Sequence, residues 1–385
     1  MKILFVIKTL TVKGGGGGAE RVLSAITAEL SRRGHEVVVA TFDGSGASTF
    51  YPFSSRVRLA HLAIGDAAKR TNPAEFVRRT LALRNFAAQF RPDVAVGFMH
   101  SSYIPLALAL VGTGIPAIGS AHSVYEHYRD RPIDRVGLRL AAALLRKLTA
   151  ISERMRSGFP RFIARKMVII ANPTLAQGGL ADVAGGDQKT LLCVGRLGPE
   201  KDHATLISAF AHLAERFPDW RLRIVGEGAL RPALQRQVDS LSLGDRIELP
   251  GVVAQMGDEY AAAQLFVLPS RYESFGLVTA EAMVHGLPVI AFADCDGARE
   301  IVHHGVNGLL VADAGDRTAS LTDAMARLMD SPNERKRLGD AGRAAKFDSI
   351  DDIVSKWEAL LGAVATGTIA MGETKPRLDE AHRRS

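Results

Sequence analysis

Along the whole chain, short runs of apolar residues alternate with longer amphipathic stretches. Apolar runs at 2–7, 36–42, 93–98, 117–121, 147–151 and 167–171 predict strands. Helical periodicity between them predicts helices over 19–33, 74–90, 101–111 and 134–146. Strand–helix alternation of this kind is the pattern of a parallel sheet with crossover helices. It stalls at Ala171-Asn172-Pro173, and the Gly-, Ala- and polar-rich stretch from Gln177 to Gln188 predicts an interdomain linker. It then restarts, with strands predicted at 190–195, 221–226, 247–249, 265–268, 288–292 and 308–311. The helices that accompany them are expected at 203–216, 229–241, 256–263, 277–285, 298–304, 316–329, 332–345 and 349–363. The second half therefore repeats the architecture of the first without repeating its sequence.

A length of 385 residues exceeds the usual size of one domain, and 47% apolar residues suffice for two cores. Two cysteines far apart, Cys193 and Cys295, offer neither a disulfide framework nor a metal-spaced cluster and fit a reducing compartment. Met1-Lys2 runs straight into Ile3-Leu4-Phe5-Val6-Ile7, which is too short for a signal core. The longest apolar stretch, Ile104 to Ile118, is broken by Pro105, Gly112, Gly114 and Pro116 and falls short of a membrane span. The expectation is a cytoplasmic protein, soluble or peripheral on the inner face of the plasma membrane.

Charge changes this picture. Residues 1–180 hold 25 Lys and Arg against 11 Asp and Glu, and the remainder holds 23 against 30. A basic first half suggests an anionic surface as partner. Helix 134–146, continued to Leu148, places Arg135, Arg139 and Arg146 on one stripe, with Leu138, Leu140, Leu144, Leu145 and Leu148 on the opposite side. Such a helix can lie on anionic lipid, or can pack on its own sheet with a solvated basic face. Aromatic residues, at 6%, provide no stacking platform for nucleic acid, which is not expected as a partner.

In open parallel sheets, ligands bind at the carboxyl ends of strands, and the candidate chemistry lies there. Gly14 to Gly18 follow the first strand and precede Ala19-Glu20-Arg21-Val22. Backbone without side chains can approach a phosphate at a helix N-terminus, although such a loop can also be merely flexible. Arg196 and Lys201, in Val194-Gly195-Arg196-Leu197 and Pro199-Glu200-Lys201-Asp202, are expected to converge on a diphosphate. Glu273-Ser274-Phe275-Gly276-Leu277-Val278-Thr279-Ala280-Glu281 follows a strand and the turn Pro269-Ser270-Arg271-Tyr272. Gly276 permits close approach, the amides of Leu277 and Val278 can face a phosphate, Glu281 can accept ribose hydroxyls, and Glu273 can accept sugar hydroxyls. His122, and more weakly His100, ends a strand of the first half, where an imidazole can contact a sugar or phosphate oxygen. Asp294-Cys295-Asp296 has the spacing of a metal-holding D-x-D, but its late position favours a loop beside the donor pocket.

Taken together, these residues resemble glycosyltransferase family 4, of the two-Rossmann GT-B type. The resemblance runs from Gly17-Gly18-Ala19-Glu20-Arg21-Val22 to the last long helix. It is carried most specifically by Glu273 and Glu281 within Pro269-Ser270…Glu273-Ser274-Phe275-Gly276, and further by the Arg196–Lys201 loop, Asn172-Pro173 and Gly305-Val306-Asn307-Gly308-Leu309-Leu310-Val311. It implies an α/β fold of two facing Rossmann-like domains, at 1–175 on the acceptor side and 188–347 on the donor side. A helix at 348–365, with Trp357, crosses back to the first domain, and 366–385 forms a flexible tail.

The implied activity is retaining transfer from a nucleotide-diphosphate sugar, with no metal and no cofactor besides that donor. Arg196 and Lys201 neutralise the departing diphosphate, Glu281 holds the ribose, Glu273 the transferred sugar, Gly17 and Gly18 let the first domain touch the phosphates, and His122 contacts the sugar. Asp294-Cys295-Asp296-Gly297-Ala298-Arg299-Glu300-Ile301 is similar to members that build bacterial lipid-linked polysaccharide and oligosaccharide units. That similarity favours a UDP-hexose or UDP-N-acetylhexosamine and a lipid-linked or saccharide acceptor. A sugar-nucleotide 2-epimerase on the same fold, or a non-catalytic nucleotide or nucleic-acid binder, is the alternative.

Overall fold

The computed structural model describes residues 1–11, 17–66, 71–174, 178–253, 255–273 and 275–368. Gly14 to Gly16, Gln177, Ser274 and most of the expected tail lie outside the described residues. The first half contains β1 (Lys2–Val6), α1 (Gly18–Arg32), β2 (Glu36–Thr41), β3 (Arg58–His61), α2 (Pro73–Phe90), β4 (Val94–Phe98) and α3 (His100–Ala109). It continues through β5 (Ala117–Ser120), α4 (Pro132–Leu144), β6 (Lys147–Ala150), α5 (Glu153–Gly158), α6 (Arg161–Ala164) and β7 (Met167–Ile169). These strands form one sheet in the order β3-β2-β1-β4-β5-β6-β7, and every pairing is parallel.

The second half contains β8 (Lys189–Val194), α7 (His203–Ala211), β9 (Trp220–Val225), α8 (Arg231–Ser240), β10 (Ile247–Gly251), α9 (Met256–Ala262) and β11 (Leu265–Leu268). Then follow α10 (Leu277–Val284), β12 (Val289–Phe292), α11 (Asp296–Arg299), β13 (Gly308–Val311), α12 (Arg317–Asp330), α13 (Pro332–Ala344) and α14 (Ile350–Thr366). Its sheet runs β10-β9-β8-β11-β12-β13, again parallel throughout. This is the expected pair of Rossmann-like domains.

Because strand side chains alternate between faces, an all-parallel sheet covered on both sides needs apolar residues at consecutive positions. In β1, Leu4 and Val6 enter one core with α3 and α4, whereas Ile3 and Phe5 enter another. That second core also takes Ile353, Val354, Trp357 and Leu361 from α14. The last helix thus completes the first domain, packed against α1. A capping box of Ser349 and Asp352 starts it, and Arg33 and His35 reach Asp351 and Glu358 on its outer face.

The structure departs from the sequence expectations in several places, among them the short helices α5 and α6, which were not expected. β3 was not expected. It is a short edge strand, Arg58-Leu59-Ala60-His61, with no apolar run to announce it. The stretch from Gly178 to Gln188 lies along the second domain: Arg335 donates to Val183 O (2.7 Å) and Ala184 O (3.0 Å), and Gln264 donates to Asp182 O (3.1 Å). α4 ends at Leu144, so Leu145 leaves the helix and Leu148 belongs to β6. Leu138 packs inward with them, whereas Leu140 and Leu144 face out beside Ile133 and Val136. The helix expected at 298–304 is the single turn α11. No helix among the described residues is long and apolar enough to cross a membrane.

Candidate functional site

Both sheets reverse strand order beside their first strand, between β1 and β4 and between β8 and β11. A crevice opens at such a point outside the strand ends. In the second domain the loop after β8 is locked by close backbone approach. A Cβ on Gly226 (φ +143) would stand 2.0 Å from Gly195 O, and Leu197 N donates to Glu227 O at 3.0 Å. A single tight turn, Pro199–Lys201, follows and closes on Asp202, which is held left-handed at φ 51°. Asp202 is secured by Arg271 Nη2 at 2.9 Å, Arg317 Nε at 3.3 Å and the Thr205 hydroxyl at 2.8 Å.

Arg317 is only 7% exposed and ties several loops together. Its Nη1 lies 2.7 Å from Asp294 and 3.2 Å from Asp313, its Nη2 donates to Pro269 O at 3.3 Å, and its guanidinium sits 3.6 Å over the Phe292 ring. With the loop fixed in this way, Lys201 Nζ forms an ion pair with Glu273. Ser270 Oγ donates to the same carboxylate oxygen at 3.0 Å. Gly297 packs beneath: its N–H donates to Glu273 O at 3.2 Å, and a Cβ there would come within 2.7 Å of that oxygen.

Arg196 does not join this contact. Its side chain is 57% exposed and pairs with Glu200 at 2.7 Å. A tight turn separates Arg196 from Lys201, and Glu200, four residues on from Arg196, holds its guanidinium.

Gly276 caps α10 in the left-handed region (φ 72), which places Leu277 and Val278 in the first turn and Glu281 one turn further in. First-turn amides have no intrahelical acceptor. The Glu281 side chain is 1% exposed. Arg21 Nη1, reaching across from α1, stands 2.7 and 2.8 Å from its two oxygens, and Tyr260 donates to Oε2 at 3.0 Å. Burial pushes the Glu281 carboxyl above its usual range, and Arg21 opposes that shift. Gly18 opens α1 directly opposite: a Cβ on it would lie 3.9 Å from Leu277 Cδ2. Gly17 is the N-cap, its N–H donating to Glu20 Oε2 at 2.9 Å. The starts of α1 and α10 therefore face one another across the cleft.

His122 follows β5. Its Nε2 lies 3.0 Å from Ser120 Oγ, and its ring stacks on Phe98 at 4.9 Å, which stacks in turn on Trp357 of α14 at 6.0 Å. Burial pushes its pKa down to about 4, so the imidazole is neutral at pH 7. His100 begins α3, with Nδ1 3.1 Å from the Tyr128 hydroxyl. The loop after His122 touches the second domain, where Val124 N donates to the Tyr272 hydroxyl at 3.1 Å. Nearby, Ser152 donates to Glu300 at 2.7 Å, and Arg154 pairs with Asp296. Asp294 and Asp296 are thus committed to different arginines, Arg317 and Arg154, with Cys295 buried between them.

Sequence reasoning missed Arg21, Tyr260, Ser270 and Arg317 as parts of this site. Arg21 carried a signal, because three residues after Gly18 it shares that glycine's helix face. Tyr260 and Arg317 carried none, since only the fold brings them to Glu281 and Asp202.

Two parallel Rossmann-like sheets meeting at their switch points, with a last helix returned to the first, form the GT-B architecture of glycosyltransferases. The model described as Glycosyltransferase Family 4 matches residues 16–174, that described as Glycosyl transferases group 1 matches 182–345, and the chain belongs to these glycosyltransferases. It is 26% identical over 369 residues to an uncharacterized glycosyltransferase of Haemophilus influenzae, covering 94% of this chain and 99% of that one. It is 27% identical, with the same coverage, to the Campylobacter jejuni GalNAc-alpha-(1->4)-GalNAc-alpha-(1->3)-diNAcBac-PP-undecaprenol alpha-1,4-N-acetyl-D-galactosaminyltransferase. The crystal structure of Anabaena HepE with UDP-glucose superposes with a TM-score of 0.74 at 21% identity, covering 94% of this chain and all of that one.

Proposed function

We propose that this glycosyltransferase moves a hexose or N-acetylhexosamine, with retention, from a UDP-sugar to a lipid-linked or saccharide acceptor in cell-surface polysaccharide biosynthesis. The observation that carries the reading is the Lys201–Glu273 ion pair at the second-domain switch point, with Glu281 one turn inside the adjoining helix. Lys201 and Arg196 stabilise the departing diphosphate, the Leu277 and Val278 amides and Gly18 flank its oxygens, and Glu281 takes the ribose. Glu273 takes hydroxyls of the sugar, and neutral His122 exchanges a hydrogen bond with it from the acceptor side. Preorganised charge aimed at a leaving group is commonly the largest catalytic contribution. Two relatives support the donor and acceptor: one is named for N-acetylgalactosamine transfer to an undecaprenol-linked glycan, and one was solved with UDP-glucose. A panel of UDP- and GDP-sugars, scored by nucleotide release with and without polyprenyl-diphosphate sugars, tests the reading. Acceptor-dependent UDP release is expected. Epimer formed from donor alone would overturn it in favour of a 2-epimerase.

The same reading places the protein at an anionic membrane surface through α4. Ile133, Val136, Leu140 and Leu144 recur every three or four residues and are 80%, 56%, 53% and 45% exposed. Arg135 and Arg139 lie among them. An apolar stripe beside cations suits the interface of an anionic bilayer. Flotation with phosphatidylglycerol vesicles should retain the protein, and Leu140→Glu should release it. Equal flotation with neutral vesicles would remove the role of the arginines.

A further inference from the structure

The arginine that seals Glu281 has no part in the reading above, yet it is the group nearest to where that reading needs room. Glu281 is closed off: Arg21 Nη1 and the Tyr260 hydroxyl both reach its Oε2. Its Oε1 is buried without an aligned hydrogen bond, although Arg21 Nη1 stands 2.7 Å away. Thr279 Oγ1, in the first turn of the same helix, is likewise buried without a hydrogen-bond partner among the described residues. A carboxylate offers about four lone-pair sites on two oxygens. A vicinal diol spans both oxygens, and Arg21 Nη1 stands against both, so ribose can take the carboxylate only if the guanidinium gives up its place.

The guanidinium then needs another anion, and the fold provides a place for one. Gly18 faces Leu277, so the N-termini of α1 and α10 point at a common space. Two helix starts are a ready anion site through their free amides and dipoles. Arg21 lies one turn from Gly18, on the same face. The parallel with Lys201 is direct: that cation too is held by the carboxylate assigned to sugar hydroxyls. A nucleotide-diphosphate sugar carries both complements, hydroxyls for the carboxylates and phosphates for the cations.

We propose that Arg21 is a further donor-binding residue, which neutralises Glu281 in the donor-free protein and passes to the donor's diphosphate when the ribose takes the carboxylate. The exchange makes no covalent bond and moves no proton. It joins donor capture to the contact between domains, because the first domain contributes the arginine and the second the glutamate. The inference rests on the reading of Glu281 as the ribose acceptor.

Calorimetric titration of the full chain with UDP, uridine, GDP and guanosine tests it. Arg21→Met should weaken the preferred diphosphate by roughly tenfold or more, the size of a lost charged hydrogen bond. It should leave the matching nucleoside unchanged or tighter, because the ribose no longer competes with a guanidinium. Arg21→Lys keeps the charge and should restore most of the diphosphate affinity, and it serves as the folded comparison should Arg21→Met be unstable. Equal weakening of diphosphate and nucleoside would overturn the exchange, leaving Arg21 as a positioning residue for Glu281. An unchanged diphosphate affinity would overturn it as well. Glu281→Gln separates the underlying reading. If that variant binds nucleosides as the wild type does, or if the wild type binds no nucleotide, the ribose assignment falls and the inference falls with it.

Discussion

The two walls of the cleft are built by different means. On the donor side, charge fixes the site: Arg317 holds Asp202, Asp294 and Asp313, and Lys201 holds Glu273. On the opposite side the candidate residue is fixed by stacking, His122 on Phe98 on Trp357, and the last ring arrives from the far end of the chain. The Lys201 and Arg317 contacts lie within the second domain, whereas the stack is complete only once α14 has docked. Ion pairs hold the charged groups of one wall, and an apolar stack holds an imidazole neutral on the other. The difference teaches that the Lys201–Glu273 pair is set within one domain, whereas the neutral imidazole depends on the whole fold.

The largest test removes the anchor of the charged wall. Arg317→Ala empties the buried hub that joins Asp202, Asp294, Asp313 and Pro269 O, leaving Asp202 to Arg271 and Thr205, and should cost about 3 kcal/mol of stability, as for breaking a buried pair. The urea midpoint measures this, and an unchanged midpoint would make the network incidental. Next, Lys201→Ala should lower kcat by roughly 10²-fold or more with the fold intact, the scale of a lost electrostatic donor. Near wild-type turnover would remove Lys201 from the leaving-group role.

The stacked wall is tested by pH. His122, like His100 and His203, has a folded pKa of about 4, below the ordinary 6.5. The unfolded chain therefore binds more protons than the folded chain between those values, and stability should be complete above pH ~6.5 and fall toward pH ~4. His122→Phe should flatten that fall, measured as urea midpoints at pH 7.5, 6 and 5. A slope identical to wild type would mean that this ring is not the titrating burden. Smallest of all, Arg33→Ala, at the end of α1 and paired with Asp351 and Glu358 of α14, should cost about 1 kcal/mol or less, because its partners are partly solvated. A larger loss would show that charge, and not Trp357 with its apolar neighbours, docks the helix.

Much of this was legible before any coordinates. The six strands of the second sheet lie close to where they are predicted; β11 and β12 read as continuous apolar runs because both faces are covered, whereas β9 alternates apolar residues with arginines and β10, at the edge, carries Glu248 and Pro250. Glu273, Gly276 and Glu281 could be assigned to one strand-end loop and helix start, since their spacing is local. The edge strand β3 was not legible, because half-exposed Arg58-Leu59-Ala60-His61 needs no apolar run. Nor was the outward stripe of α4, where periodicity alone extended the helix through Leu148, a residue that pairs in the sheet.

The sequence by itself determined the elements, their parallel order in two halves and the residue types set at the strand ends. These depend on side-chain period and turn chemistry over a few residues. Tertiary structure alone decided that Arg21 meets Glu281, that Arg196 turns to Glu200 instead of joining Lys201, and that Trp357 backs His122 through Phe98. The Arg21 and Trp357 contacts join residues more than 200 positions apart, and no local periodicity records which charges and rings two folded domains bring face to face.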